Sequence, residues 1–395
     1  MALETDSVMK YTLIRMLKMA FIGLLLSMPF QVNAQSFDAE KAELGQRLFF
    51  DPNLSRNRTQ SCATCHAPST AFSDSRPNLT DSAASLGDDN QSFGDRNAPM
   101  VTYAAQTPDF HRNAQGIYVG GFFWDGRAAN LAEQAKGPPL NPIEMGMPDE
   151  ESVIERILEN PIYPPLFKAL YGEPIFENTQ AAYNAMADAL AHFEKTELFN
   201  PFDSKYDRYL QGKAQLTPEE ELGMTLFFSQ QFTNCNLCHQ LNPLPGREKE
   251  VFSNFEYHNI GVPVNAKLRE INGVTDNDVG LFAHPEVDDP SSIGKFKTPS
   301  LRNVAVTGPY MHNGVFQDLR TVILFYNQYN SRSAKMRINP ETGLEWEAPE
   351  IPENISLTEL QTGPALDDKR VDALVAFLKT LTDARFEHLL NASTD

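Results

Sequence analysis

Positive charge, cysteine, tryptophan and long hydrophobic runs are all scarce in this chain. Lysine and arginine number 33 against 52 aspartates and glutamates, a net charge of −19. Nothing in it resembles a basic footprint, which argues against a nucleic-acid partner. The acidic balance favours a soluble, self-repelling surface and basic or neutral partners. Segments that alternate apolar and polar residues are few, so a mainly α fold is expected. The long apolar stretch is "MAFIGLLLSMPF" (residues 19–30), short of the roughly 20 residues that a membrane-spanning helix needs. Only two tryptophans occur, Trp124 and Trp346, and only four cysteines. Hydrophobic content of 41% and charged content of 22% are ordinary for a globular protein. At 395 residues the chain can bury a large core, and its length suggests about two domains.

Lys10, Arg15 and Lys18 precede the apolar stretch, and "QVNAQS" follows it, with Val32 and Ala34 as small residues before a cleavage point. This is the pattern of a secretory signal over residues 1–34, cut after Ala34; the alternative is an uncleaved membrane anchor. Met9 begins a more typical signal than Met1, and no cysteine follows the stretch, which excludes lipoprotein attachment. The expected location is the periplasm, without stable membrane insertion. In that oxidising compartment four cysteines would ordinarily form two disulfides.

Their spacing says otherwise. All four stand in two copies of C-x-x-C-H: Cys62, Cys65 and His66, then Cys235, Cys238 and His239. Two thiols three residues apart can add across both vinyl groups of one haem, and the adjacent histidine then reaches the iron. The alternative is zinc, which needs four ligands, usually from two close pairs. Here the pairs lie far apart, each with its own histidine.

The surroundings are duplicated too. "AELGQRLFF" (42–50) precedes the first motif and "EELGMTLFF" (220–228) the second, so Glu43, Leu44, Gly45, Leu48, Phe49 and Phe50 match Glu221, Leu222, Gly223, Leu226, Phe227 and Phe228. Leucines four apart mark one apolar helix face. "LTPEEE" adds a helix start, with Thr217 as cap and Pro218 in the first turn. The repeated unit is helix, loop, C-x-x-C-H. A helix over 179–197 closes the first half, residues 198–213 form a linker, and a helix over 368–382 closes the second. The 27 prolines predict long ordered loops.

Further segments carry a family resemblance: "RNAP" (96–99), "GGFFWDGRAANLAEQAKGPPLNPIEM" (120–145), "KFKTPSLRNVAVTGPYMHNG" (295–314) and "VAFLKTLT" (375–382). With both C-x-x-C-H motifs, the chain resembles bacterial di-haem cytochrome c peroxidases, and within them the MauG-type branch. The resemblance covers nearly the whole mature chain. It implies two cytochrome c-like domains, 35–205 and 206–395, each with one covalently bound haem c. It implies that the N-terminal haem reacts with hydrogen peroxide and the C-terminal haem stores and relays electrons. It places Trp124 between the haems as an electron bridge, and Gln134, Pro138 and Glu144 on the open face of the first haem. It also implies one calcium ion between the domains, held by Asn97 and by the backbone carbonyls of Thr307 and Pro309. Elementary chemistry agrees on the pocket. Splitting peroxide heterolytically needs a proton moved from one oxygen to the other, which a shielded carboxyl can do. Glu144, flanked by Pro142, Ile143 and Met145, stands in an apolar setting that raises its pKa. Gln134 can hydrogen-bond peroxide without titrating, and Pro138 is stiff and has no donor.

The sixth iron position separates this chain from conventional members. Those carry a second histidine on the peroxidatic haem sixteen residues after the haem histidine; here that position is Ser82. The nearest later histidine, His111, stands in a polar stretch and is expected at the surface. The first iron is therefore expected to be five-coordinate or water-bound. On the second haem conventional members use a methionine fourteen residues after the histidine of a "PYxH(N/D)G" motif; here that histidine is His312 and the position is Tyr326. Leu319, Val322, Ile323 and Tyr326 share one helical face. Tyr326 is the expected ligand, as in MauG-type proteins, with Tyr329, Met311 and Met336 as alternatives. A thioether favours ferrous iron; a phenolate is a hard anion that favours ferric and higher states. The expected function is therefore peroxide-dependent oxidation of a partner protein's side chain, such as tryptophan, through a high-valent di-haem state. The alternatives are a detoxifying peroxidase fed by a small cytochrome c or cupredoxin, and a pure electron carrier. One departure stands out. The MauG-type resemblance implies an exit for the hole through a surface tryptophan six residues before the second haem histidine, and here that position is Thr233. His192, His258, His284 and His388 read as structural or surface residues, and His312 as a neighbour of the second haem.

Overall fold

The computed structural model describes residues 34–241 and 249–394. The leader expected over 1–34 lies outside them except for Ala34. Among the described residues no helix is long and apolar enough to cross a membrane. The architecture is mainly helical. Sheet is limited, among the described residues, to two antiparallel ribbons: β1 (His111–Arg112) with β2 (Tyr118–Val119), and β3 (Tyr257–His258) with β4 (Phe296–Lys297).

The helices that organise it are α1 (Ala34–Phe49), α2 (Thr179–Glu194), α3 (Pro218–Phe228), α4 (Leu319–Asn327) and α5 (Asp368–Lys379). Their starts are written locally. Asn178 accepts from the Ala181 N–H at 2.9 Å and Asp367 from the Arg370 N–H at 2.9 Å. At α3 the Thr217 hydroxyl accepts from Glu220 N–H at 3.3 Å while the Glu220 carboxylate accepts from Thr217 N–H at 2.7 Å, satisfying two orphan donors at once.

The apolar stripes of these helices fill two large clusters. One gathers Leu44, Leu48 and Phe49 with Ala185, Ala189 and Phe193. The other gathers Leu226 and Phe227 with Ala373, Leu374 and Phe377. Phe386, near the chain's end, packs in the first cluster.

The matched glycines explain why the helix pairs repeat. A Cβ on Gly45 would lie 1.9 Å from the Ala189 carbonyl oxygen and 2.9 Å from Phe193 Cβ. A Cβ on Gly223 would lie 1.9 Å from the Ala373 carbonyl oxygen and 2.8 Å from Phe377 Cβ. Backbone meets backbone in both crossings, so the duplicated sequence is a duplicated contact. Alanine at position 223 gains about 1 kcal/mol of helix propensity, yet forces the helices apart, at an overpacking cost of typically about 1–3 kcal/mol and towards the upper end where backbone has to move. Gly223→Ala is expected to lower the thermal midpoint; an unchanged midpoint contradicts the close crossing.

The stretch 198–213, expected as the linker, is ordered. Phe199 and Tyr206 are buried, and residues Lys205–Leu210 form a helix capped by a reciprocal Ser204–Asp207 box. Asp207 also grips Arg302, which is wholly buried, at 2.5 and 2.9 Å, and Arg302 donates to Glu250 O at 2.7 Å. The serine and aspartate that resemble linker composition serve as cap and counter-ion, a role set by a partner far away in sequence.

Candidate functional site

Both C-x-x-C-H motifs are wound into tight turns. The His66 N–H donates to Cys62 O at 2.9 Å and the His239 N–H to Cys235 O at 3.0 Å. This puts both thiols and the imidazole of each motif on one short coil. Each imidazole is then fixed from behind: His66 Nδ1 lies 3.3 Å from Phe72 O, and His239 Nδ1 lies 2.8 Å from Phe252 O. Both phenylalanines take left-handed φ angles, 57° and 56°, which are costly for a bulky residue. With Nδ1–H donating to a carbonyl, Nε2 carries the lone pair that can bind iron.

Burial lowers the His66 pKa and lowers that of His239 to about 4, which favours the neutral form of both rings. Burial lifts the Cys62 thiol to about 12, Cys65 to about 11 and Cys238 to about 12. The two cysteine pairs do not converge, since no group of three or more His, Cys, Asp or Glu among the described residues could hold a metal ion. The donor sets fit one haem per motif.

Cys62, Cys65 and His66 line a cavity of about 680 Å³, within the roughly 300–1,000 Å³ range of cofactor sites. Gln134, Pro138 and Glu144 line the same cavity, as do Trp124, Asn97, Thr307 and Pro309. Gln134 is carried by helix Leu131–Ala135, which Asn130 caps, and Pro138 by the turn Gly137–Leu140. The Tyr183 hydroxyl of α2 donates to Lys136 O at 2.7 Å between them. Glu144 is held by its own loop: its N–H donates to Asn141 O at 3.0 Å, and Asn141 Nδ2 donates to Glu144 Oε1 at 2.8 Å. Burial raises its pKa against the lowering pull of Asn141 and Arg127.

His66 is the one histidine among the described residues lining this cavity. Ser82 turns its hydroxyl to Arg76 O at 3.0 Å, and His111 is exposed. At the second motif, burial raises the Tyr326 pKa, and the Cys238 and Cys235 thiols raise it further. The phenol on α4 is therefore within electrostatic reach of that cysteine pair. The alternatives are engaged elsewhere: the Tyr329 hydroxyl donates to Ile260 O at 3.0 Å, Met336 Sδ accepts from Asn327 at 3.4 Å, and Met311 lines the first cavity.

The family model for di-haem cytochrome c peroxidases matches residues 39–215. The methylamine utilization protein MauG of Paracoccus denitrificans is 55% identical over 362 residues, 91% of this chain and 93% of its own. The chain belongs to the di-haem cytochrome c peroxidase family. Cytochrome c551 peroxidase of Pseudomonas aeruginosa is 31% identical over 74% of this chain and 73% of its own. The solved di-haem peroxidase BthA of Burkholderia thailandensis superposes with a TM-score of 0.76 at 32% identity, covering 88% of this chain and 87% of its own. This peroxidase is thus an oxidoreductase that uses peroxide, and its family carries two haems.

Within the peroxidase Trp124 is pinned at both ends. Its indole donates to Asn97 O at 2.8 Å, and its carbonyl accepts from the Lys297 N–H at 2.9 Å. The Asn97 N–H in turn donates to His312 O at 2.8 Å. Asp125, next in sequence, is buried and paired with Arg96 and Arg127, and Arg96 also binds Asp278 at 2.6 Å. The His312 ring stacks on Phe296 with centroids 3.6 Å apart, and burial lowers its pKa to about 3.

Three residues near the sites had not been singled out for a role there. Glu194 on α2 lines the first cavity, and burial lifts its carboxyl to about 8. It stands four residues after Leu190, which lines the same cavity; an acid inside an apolar helix stripe was a readable signal. Lys297 lines the cavity too, with burial lowering its pKa to about 7 and its ammonium donating to Gly121 O. His258 on β3 is near enough to His239 to lower its pKa. No local pattern marks Lys297 or His258, because a strand pairing places them.

Proposed function

We propose that this peroxidase uses hydrogen peroxide to oxidise a side chain of a periplasmic partner protein, with tryptophan the leading candidate. The observation that carries the reading is the asymmetry between the motifs. One opens on a cavity whose only lining histidine among the described residues is His66; the other has the Tyr326 phenol, whose pKa burial and the thiols of that motif raise. Cys62, Cys65 and His66 hold the first haem, and Cys235, Cys238 and His239 the second, in two cytochrome c-like domains over 35–205 and 206–395. Haem supplies the two-electron reduction of peroxide and keeps the oxidising power that results.

The chain's own residues do the rest. Glu144 accepts the proton of the near peroxide oxygen and returns it to the departing one. Gln134 orients the peroxide by a hydrogen bond, and Pro138 walls the pocket without offering a competing donor. Tyr326 would hold the iron of the second haem through a hard oxygen donor that favours oxidised states. Trp124 bridges the two sites. Asn97 Oδ1 and the carbonyls of Thr307 and Pro309 hold one calcium ion. Two features support this: Asn97 Nδ2 donates to Ala83 O at 3.3 Å, leaving Oδ1 as the free acceptor, and all three residues line one cavity. The leader over 1–34 delivers the chain to the periplasm, and the net charge of −19 suits a basic or neutral partner.

Stopped-flow mixing of the fully oxidised protein with peroxide tests the reading. A fast-forming, long-lived oxidised spectrum is expected without any reductant. Reaction only after half-reduction by a small cytochrome c or cupredoxin would establish the detoxifying alternative, which the likeness to cytochrome c551 peroxidase favours.

A further inference from the structure

An oxidising equivalent at the second haem needs a way out to a partner. Position 233 does not provide one. Thr233 is 4% exposed, has no ring, and its hydroxyl donates to Leu226 O at 2.6 Å. A continuous aromatic path does leave the site from α4. The Phe325 ring meets Tyr326 edge-on, with centroids 6.0 Å apart at 73°, and meets Trp346 edge-on, at 5.6 Å and 77°. Phe316 backs the indole at 5.7 Å. Phe316 and Phe325 are buried, whereas Trp346 is half-buried within an otherwise exposed run over 340–348. Its indole is fixed by donation to Met336 O at 2.9 Å, and its own N–H by donation to Arg337 O at 2.9 Å.

We propose that Trp346 is the surface stop at which electrons enter from the partner protein. The inference rests on the partner-oxidation reading above. The chemistry selects this ring. Phenylalanine is too hard to oxidise and serves as a medium between neighbours. A phenol loses an electron readily only if it also loses its proton, and the Tyr329 hydroxyl faces a peptide carbonyl that cannot take one. An indole can carry the hole as a cation with its N–H kept on Met336 O. The step balances. Peroxide takes two electrons and two protons and leaves as two waters. Trp346 gives one electron inward at a time and is refilled each time by one electron from a partner side chain, which releases its proton to solvent.

The holoenzyme mixed with peroxide in the absence of any partner tests this, by stopped-flow spectroscopy followed by peptide mass spectrometry. Oxidation products are expected on Trp346 ahead of every other aromatic residue. The oxidised spectrum of Trp346→Phe is expected to decay at least about tenfold more slowly than that of the wild type. A long-lived spectrum with Trp346 unmodified, and equal decay in the variant, overturns the exit and leaves the partner-oxidation reading standing. Wild-type protein that forms no long-lived spectrum overturns both.

Discussion

Tyr326→Phe is expected to abolish the long-lived oxidised state while the protein still folds and still takes up two haems. The substitution removes one oxygen and leaves the ring. Leu319, Ile323 and Leu324 on the same helix stay packed, and Phe325 keeps its contacts with Phe316 and Trp346. Burial and the thiols of the second motif both raise the pKa of the Tyr326 hydroxyl, so the oxygen removed is one within electrostatic reach of that motif. Without a hard anionic donor the second iron loses its preference for oxidised states, and the two oxidising equivalents collapse onto the first site and its surroundings. The check is the lifetime of the peroxide-generated spectrum in the variant. Survival of that spectrum would remove Tyr326 from the second iron.

Glu144→Gln is expected to slow peroxide cleavage by about 100- to 10,000-fold, the usual contribution of a positioned acid–base group. Glutamine keeps the shape and can still accept the Asn141 hydrogen bond, so the pocket stays formed. What it cannot do is take up and return a proton. The pH profile offers a second test. Burial raises the Glu144 pKa, so its basic form appears at higher pH than for an ordinary carboxylate. The cleavage rate should therefore fall as pH drops through that raised value in the wild type, and this limb should vanish in the variant. An unchanged rate constant would remove Glu144 from the mechanism.

Much of this was legible in the sequence because it is written locally. The C-x-x-C-H triplets are short motifs whose chemistry needs no distant partner. Helix α3 announces itself through Thr217 and Pro218 at its start, and both α3 and α5 through leucines and phenylalanines at helical spacing. The match of Gly45 with Gly223 is visible as letters, but its meaning is not. Only the structure shows that each glycine admits a facing carbonyl, from Ala189 in one case and Ala373 in the other. The order within the stretch 198–213 is hidden for the same reason. Ser204 and Asp207 resemble linker residues until Arg302 is seen between them. Phe72 and Phe252, whose carbonyls fix the two imidazoles, carry left-handed backbones that no composition rule foretells. His258 and Lys297 reach the sites through strands of two residues each, too short to leave a period.

The central claim is that the two irons are closed differently, one open to peroxide and the other sealed by a phenol oxygen. Electron paramagnetic resonance of the resting, fully oxidised holoenzyme tests it most directly. The expected spectrum contains one high-spin ferric haem with an open or water-filled position and one low-spin haem with a nitrogen–oxygen axial pair. Two low-spin haems, each capped on both faces by nitrogen or sulfur, would contradict it.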